Sequence, residues 1–170
     1  MKVRIGVAIG QWPDKTVRPE TIFDLIDYFE ALDVDSLWVS ERLVSSALIL
    51  EPLTFLSTIA GRSRKMKLGT STLVLPARNP IILAKELATI DFLSQGRLFP
   101  AIGLGGEESK DLLAVGVEKK ERAGRTDEAT LDGDHAARPH YRRRDGGGAT
   151  VHAQHARDSQ AEVDARPEPP

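Results

Sequence analysis

The chain has 170 residues and a mass of 18.6 kDa, which is enough for one ordinary domain. Its formal charge of −2 excludes the strongly basic field of most nucleic-acid binders, and the absence of cysteine excludes disulfides, thiolate nucleophiles and zinc ribbons. With no signal-peptide pattern and no apolar run near the roughly 18 residues of a membrane span, we expect a cytoplasmic protein that binds neither membrane nor nucleic acid.

The first 130 residues alternate between short apolar strands and amphipathic helices. The pattern predicts strands at residues 2–9, 35–39, 66–75 and 97–102, although Pro100 weakens the last because proline donates no hydrogen bond to a sheet. It predicts helices that begin near Pro19, span Pro52–Arg62 and residues 81–93, open at Glu107 and Glu108, and cover residues 123–129.

The composition changes sharply after residue 130. The last forty residues contain all four histidines and a Gly146-Gly147-Gly148 run, and their large apolar side chains are Leu131, Tyr141, Val151 and Val163. Such a segment buries too little apolar surface to offset its ordering entropy. We therefore predict a structured region at 1–130 and a disordered tail at 131–170, whose histidines form no metal site.

Repeated strand-helix units predict a parallel sheet covered by helices. Two architectures fit, an open doubly wound sheet and a (β/α)8 barrel. A complete barrel takes roughly 250 residues, whereas four units here occupy about 130. If the chain is a barrel, we expect it to hold the first half.

Chemistry in parallel α/β folds gathers at the carboxyl ends of the strands. Four clusters follow the predicted strands: Gly10 to Trp12, Ser40 to Arg42, Thr70 to Thr72 with Arg78 and Asn79, and Gly103 to Ser109. They offer carboxylates, hydroxyls, an indole and glycine backbone that can approach an anion closely.

Each cluster also has a purely structural interpretation. The Gly103 turn departs from the GxGxxG fingerprint because residue 108 is Glu, and tight geometry alone can require its glycines. Glu41 and Arg42 can form a surface ion pair, and Trp12 can belong to the core.

Three segments are familiar: SLWVSERL at 36–43, KLGTSTLVLPARNPIILAKELATIDFLSQGRLFPAIGLGG at 67–106, and GVEKKERAGRTDE at 116–128. In this order they resemble the luciferase-like monooxygenase superfamily, and most closely its oxidoreductases that use the deazaflavin coenzyme F-420. The resemblance covers roughly residues 1–130. It implies a (β/α)8 barrel, often dimeric, that binds FMN or coenzyme F-420 at the carboxyl ends of its strands and acts on a small-molecule substrate.

The resemblance also assigns roles to positions. The family's acidic residue after strand two matches Glu41, which we predict to be catalytic, but the family's following histidine is Arg42 here. A non-prolyl cis peptide that supports the ring in the family matches Ser71–Thr72. With the strand-end clusters, this predicts a set of cofactor-binding residues: Trp12, Thr70, Ser71, Thr72, Gly103, Gly105, Gly106 and Glu107.

The expected architecture is a truncated (β/α)8 barrel whose exposed sheet edges favour a homo-oligomer. The leading functional prediction is a flavin- or deazaflavin-dependent oxidoreductase or monooxygenase of doubtful activity. Two alternatives remain, an inactive fragment of such an enzyme and a small half-barrel whose glycine turn binds an anion without redox chemistry.

Overall fold

The computed structural model describes residues 3–12, 16–106 and 110–137. Six short strands and five helices follow one another, with 3-10 turns at Leu75–Ala77 and Lys119–Glu121. The strands are β1 (Gly6–Ile9), β2 (Ser36–Val39), β3 (Lys67–Thr70), β4 (Leu73–Val74), β5 (Leu98–Phe99) and β6 (Ile102–Gly103). The helices are α1 (Pro19–Ala31), α2 (Pro52–Arg62), α3 (Pro80–Ser94), α4 (Lys110–Ala114) and α5 (Arg122–Ala137).

The sheet is parallel throughout, as the strand-helix alternation predicts. Its main part has the order β1-β2-β3-β5, and β4 and β6 pair separately beyond the ends of β3 and β5. The predicted third and fourth strands are therefore each broken in two. The third is interrupted at Ser71–Thr72, whose peptide bond is cis as the resemblance implies, and the fourth at Pro100 and Ala101.

The Thr70 side chain closes the gap in the ladder beside Pro100. Its hydroxyl donates to the Ala101 carbonyl at 2.7 Å and accepts from the Ala101 N–H at 2.9 Å. Alternate residues of this strand face β3, and Ala101 is one of them whereas Pro100 is not. The buried Thr70 hydroxyl thus takes the place of a backbone partner for Ala101.

The helix-facing side of the sheet forms the main core. Leu37, Leu68 and Leu98 lie in register on neighbouring strands and are at most 3% exposed. They pack with apolar residues of α1, α2 and α3, among them Ile26, Leu56 and Ile90. Register partners in a parallel sheet share a face, so the alternate positions, including Trp38 and Gly69, point to the other side.

Trp38 lies flat against the opposite face of the sheet. A Cβ built on Gly69 would stand 2.3 Å from Trp38 Cε3, and one on Gly6 would stand 3.1 Å from Trp38 Nε1. The indole N–H donates to Ser36 Oγ at 3.0 Å. Two glycines on the flanking strands thus make room for a single ring that covers this face.

The helix boundaries follow local capping signals. α2 has the predicted bounds, and α3 begins at Pro80, where the Asn79 side chain accepts from the N–H groups of Ile81 and Ile82. α5 begins one residue before its predicted start and continues to Ala137. Residues 131–137 of the predicted tail thus belong to α5, which differs from the expected disorder, while the rest of that tail (138–170) and the predicted helix start at Glu107 and Glu108 lie outside the described residues.

The close approach of Trp38 to Gly69 gives a direct stability prediction. Gly69→Ala should lower the free energy of unfolding by about 1–3 kcal/mol, because the indole ring has to move. Gly61→Ala is the matched control, since a Cβ there meets nothing within 4 Å, and it should stabilise α2 by up to about 1 kcal/mol. Urea denaturation measures both values, and equal midpoints for the two variants would contradict this account.

Candidate functional site

A cavity of about 550 Å³ opens at the carboxyl ends of the strands. All four predicted clusters contribute to its wall, together with the first turn of α4. The lining includes Gly10 and Gln11 after β1, Ser40 to Arg42 after β2, Ser71 and Thr72 between β3 and β4, Gly103 to Gly106 around and after β6, and Asp111 of α4. The structure thus brings together six described residues predicted for the site, namely Glu41, Ser71, Thr72, Gly103, Gly105 and Gly106.

Glu41 is held on both of its carboxylate oxygens. Its side chain is 1% exposed, Oε2 accepts from the Val74 N–H, and Oε1 accepts from Arg78 Nη2 and from Arg78 Nε, the latter at 3.0 Å. The carboxylate therefore joins the end of β2 to β4 and to the segment before α3. This geometry suits a residue that positions the cavity wall, and the predicted catalytic role of Glu41 stays a prediction.

Arg78 extends this link to two helices. Its guanidinium donates to Glu51 Oε1 at 2.7 Å and lies 3.9 Å from Glu86 Oε2 of α3. Burial by itself would lower the pKa of Arg78, but the hydrogen bonds to Glu51 and Glu41 outweigh it and raise that pKa. Glu51 Oε2 also accepts from the Thr54 N–H at 2.7 Å and caps α2.

The sequence allows a surface ion pair between Glu41 and Arg42, but the structure pairs each of them with another residue. Glu41 pairs with Arg78, whereas Arg42 lies 3.9 Å from Asp111 Oδ2. Asp111 Oδ1 accepts from the Leu43 and Val44 N–H groups at 2.9 and 2.7 Å. Each carboxylate of the cavity wall therefore fastens backbone from a distant part of the chain.

The glycine turn after β6 needs its glycines for steric reasons. A Cβ on Gly103 would stand 2.9 Å from Thr72 Oγ1, and one on Gly105 would stand 3.0 Å from Val74 Cγ1. Gly105 also has a φ of +80°, in the region that favours glycine. Tight geometry thus accounts for the turn, and the same geometry brings bare backbone to the cavity surface.

The Arg122 side chain binds the backbone of this turn. Arg122 is a buried residue at the start of α5, and its Nη1 donates to the carbonyls of Gly105 and Gly106 at 3.1 and 2.9 Å. Since C=O and N–H point in opposite directions across a trans peptide, the Gly106 N–H points away from Arg122. Sequence reasoning missed this residue, although it lies in the familiar segment at 116–128.

Two predicted cofactor contacts, Thr70 and Trp12, are not among the residues that line the cavity. Thr70 is register partner to Val39, which places it on the helix-facing side of the sheet. Trp12 forms an isolated β-bridge with Leu48, in which its backbone N–H donates to the Leu48 carbonyl at 2.9 Å. The Trp12 side chain packs against the main core. Glu107 lies outside the described residues.

Metal-binding clusters and membrane-spanning helices are both absent from the part of the chain that the structure describes. Among the side chains of residues 3–12, 16–106 and 110–129, no cluster of three or more His, Asp or Glu residues could hold a metal ion. In that same part of the chain, no helix combines the length and apolar character needed to cross a membrane. Of the tail histidines, His135 falls within the range of α5, and His140, His152 and His155 lie outside the described residues.

Comparison with known proteins identifies the family. A model described as luciferase-like monooxygenase matches residues 1–169, beyond the residues on which the resemblance rested. The chain belongs to this family. Its relatives include oxidoreductases that depend on coenzyme F-420, as the sequence motifs predict.

Two curated relatives of this luciferase-like protein are a monooxygenase and a dehydrogenase that depends on coenzyme F-420. The 4-hydroxyprotoasukamycin monooxygenase of Streptomyces nodosus subsp. asukaensis is 29% identical over 107 residues, covering 62% of this chain and 29% of that protein. The F-420-dependent glucose-6-phosphate dehydrogenase of Amycolatopsis mediterranei is 31% identical over 118 residues, covering 62% of this chain and 35% of that protein. The chain thus spans about a third of the length of these relatives.

A solved structure supports the fold. The oxygenating constituent of 3,6-diketocamphane monooxygenase from Pseudomonas putida, in complex with FMN, superimposes with a TM-score of 0.68 at 19% identity. The match covers 78% of this chain and 38% of that one. The luciferase-like chain therefore has an α/β fold with a parallel sheet, close to the barrel structures of its family.

The two carbonyls held by Arg122 yield a prediction for the turn. Arg122→Met should destabilise the protein by about 2 kcal/mol, because the Gly105 and Gly106 carbonyls both lose their charged donor. Arg125→Met is the matched control from the same helix, since Arg125 forms an exposed pair with Glu121 at 3.3 Å, and it should change stability by at most about 0.5 kcal/mol. Thermal denaturation measures both; an Arg122 variant as stable as the control would show that the turn does not depend on this residue.

Proposed function

We propose that the described residues form the first four units of a (β/α)8 barrel and that their cavity binds a flavin-type cofactor, FMN or coenzyme F-420. One observation carries this proposal: strand-end segments from all four units meet around one cavity of about 550 Å³, within the size range of small-molecule sites. Family membership and the FMN-bound neighbour support it. The same comparisons leave the choice between the two cofactors open to experiment.

The residues present suit one side of such a group. Bare backbone at Gly103 and Gly105 forms a surface that a Cβ would crowd, and the hydroxyls of Ser71 and Thr72 lie beside it. These groups would hold the cofactor through van der Waals contact and neutral hydrogen bonds. They would contact the cofactor from the carboxyl ends of β3 and β6, which is part of the share of the site expected from the first half of a barrel.

In this family-type site the cofactor, when bound, supplies hydride transfer or monooxygenation of a small-molecule substrate. The chain's own residues bind and orient. Glu41 and Arg78 keep β4 in place against the end of β2, and Arg122 keeps the glycine turn in place against the cavity. Since both oxygens of Glu41 accept protein hydrogen bonds, we assign it positioning of the wall.

Cofactor titration tests this function with a matched pair of variants. FMN and coenzyme F-420 are titrated separately into the full chain, and we expect a saturable change in visible absorbance or fluorescence with one of them. Gly105→Ala should weaken that binding by about tenfold, because its Cβ would enter the wall beside Val74 and Leu112. Gly116→Ala should leave it unchanged, since Gly116 has a similar φ of +71° but no neighbour within 4 Å.

The negative outcomes separate the alternatives. No spectral change with either cofactor would overturn the proposal and favour an inactive fragment. Phosphate binding without any flavin binding would favour the anion-binding half-barrel. Equal weakening by Gly105→Ala and Gly116→Ala would show that backbone strain, and not the cavity wall, controls the binding.

We also propose that two copies of the chain associate through their sheet edges. β1 and β5 stand at the two edges of the main sheet, and the exposed Val3 and Ile5 precede β1. An unpaired parallel edge is a template for another strand. Light scattering of the full chain should therefore give at least twice the 18.6 kDa of one chain, and a stable monomer would contradict this association.

A further inference from the structure

The charged groups around the cavity are unequally engaged. Glu41 is paired with Arg78, and Asp111 accepts two backbone N–H groups through a single oxygen. Arg42 is the one cation among the described lining residues, and its side chain is 55% exposed. The two carboxylates thus bind groups of the protein itself, while the Arg42 guanidinium is exposed to solvent.

Arg42 has hydrogen-bonding capacity that the described residues do not use. Its nearest charged partner is Asp111 Oδ2 at 3.9 Å, beyond hydrogen-bond distance. A guanidinium carries five N–H donors in a planar fork, and among the described residues none of them reaches an acceptor within hydrogen-bond distance. Asp111 is buried, but a 3.9 Å separation from a half-exposed guanidinium makes this a weak pair, so an incoming anion displaces little stabilisation.

The backbone on both sides of Arg42 is nevertheless held by hydrogen bonds. Asp111 binds the N–H groups of Leu43 and Val44, which anchors the backbone immediately after Arg42 to α4. The Glu41 carboxylate anchors the residue immediately before it. A cation carried on a segment anchored on both sides is preorganised for a ligand, because little backbone freedom remains to be lost.

We propose that Arg42 binds an anionic group, a carboxylate or a phosphate, on the molecule that occupies this cavity. The planar fork matches both groups in a bidentate manner. Arginine stays protonated in proteins, so its contribution is binding and orientation and not proton transfer. The inference deepens the proposed function, on which it rests, by naming an anionic class of ligand; the anion belongs either to the substrate or to the cofactor's phosphate.

The test uses inorganic phosphate, riboflavin and FMN as probes of the full chain, with calorimetry as the readout. Arg42→Gln should weaken phosphate binding by about tenfold or more, and Arg42→Lys should weaken it less. Arg4→Gln is the matched control, because Arg4 also lies 3.9 Å from an aspartate, Asp35, but precedes β1 at the opposite end of the sheet. It should leave phosphate binding within about twofold of the unmodified chain.

The two sources of the anion give different patterns. If FMN binds more tightly than riboflavin and Arg42→Gln abolishes that preference, the anion is the cofactor's phosphate. If the preference survives, or is absent, and flavin-loaded protein still binds phosphate in an Arg42-dependent manner, the anion is the substrate's. Both patterns support the inference.

Two results would overturn it. One is equal phosphate binding by the Arg42→Gln and Arg4→Gln variants, and the other is no phosphate binding together with no preference for FMN. The outcome is separate from that of the proposed function. Arg42-dependent phosphate binding without flavin binding refutes the flavin site alone, whereas flavin binding with neither Arg42-dependent phosphate binding nor an Arg42-dependent preference for FMN refutes the anion site alone.

Discussion

The buried carboxylate of Glu41 constrains everything around the cavity. A buried charge is tolerated only when it is paired and hydrogen-bonded, and Glu41 meets this condition through Arg78 and the Val74 N–H. Arg78 in turn reaches Glu51, the cap of α2, and approaches Glu86 of α3. One ion-pair network therefore fixes the end of β2, the start of β4 and two helices, so the wall of the site and the packing of the helices cannot be altered separately.

Local signals predicted the elements well because they act over short distances. Apolar spacing and Pro52 gave α2 its observed bounds, and the alternation of strand and helix gave the parallel sheet. The rule that chemistry gathers at strand ends selected segments that do meet around one cavity. The cis peptide at Ser71–Thr72 was accessible only through the resemblance, since nothing in the two residue types themselves requires it.

Long-range geometry explains what the sequence could not supply. Thr70 and Ser71 are adjacent, yet register places Thr70 with Val39 toward the helices while Ser71 lines the cavity. Glu41 has Arg42 beside it in sequence but pairs with Arg78, 37 residues away. Asp111 and Arg122 escaped notice because their partners are backbone groups, which leave no trace in residue types. Pairing choices of this kind depend on the assembled fold and not on local pattern.

The division of labour among charges follows from these pairings. Glu41 and Asp111 hold β4 and the loop after β2, and Arg122 holds the glycine turn, so three ionic side chains are committed to backbone groups. These hydrogen bonds already exist in the unliganded protein, so binding a ligand costs no free energy for ordering this part of the wall. Among the described lining residues, they leave hydroxyls, the Gln11 amide, bare glycine backbone and the guanidinium of Arg42 as polar groups that face the cavity. Under the proposed function, such a site would orient a neutral ring and attract negative charge, and a substitution that reverses the sign of Arg42 would change the second property without disturbing the first.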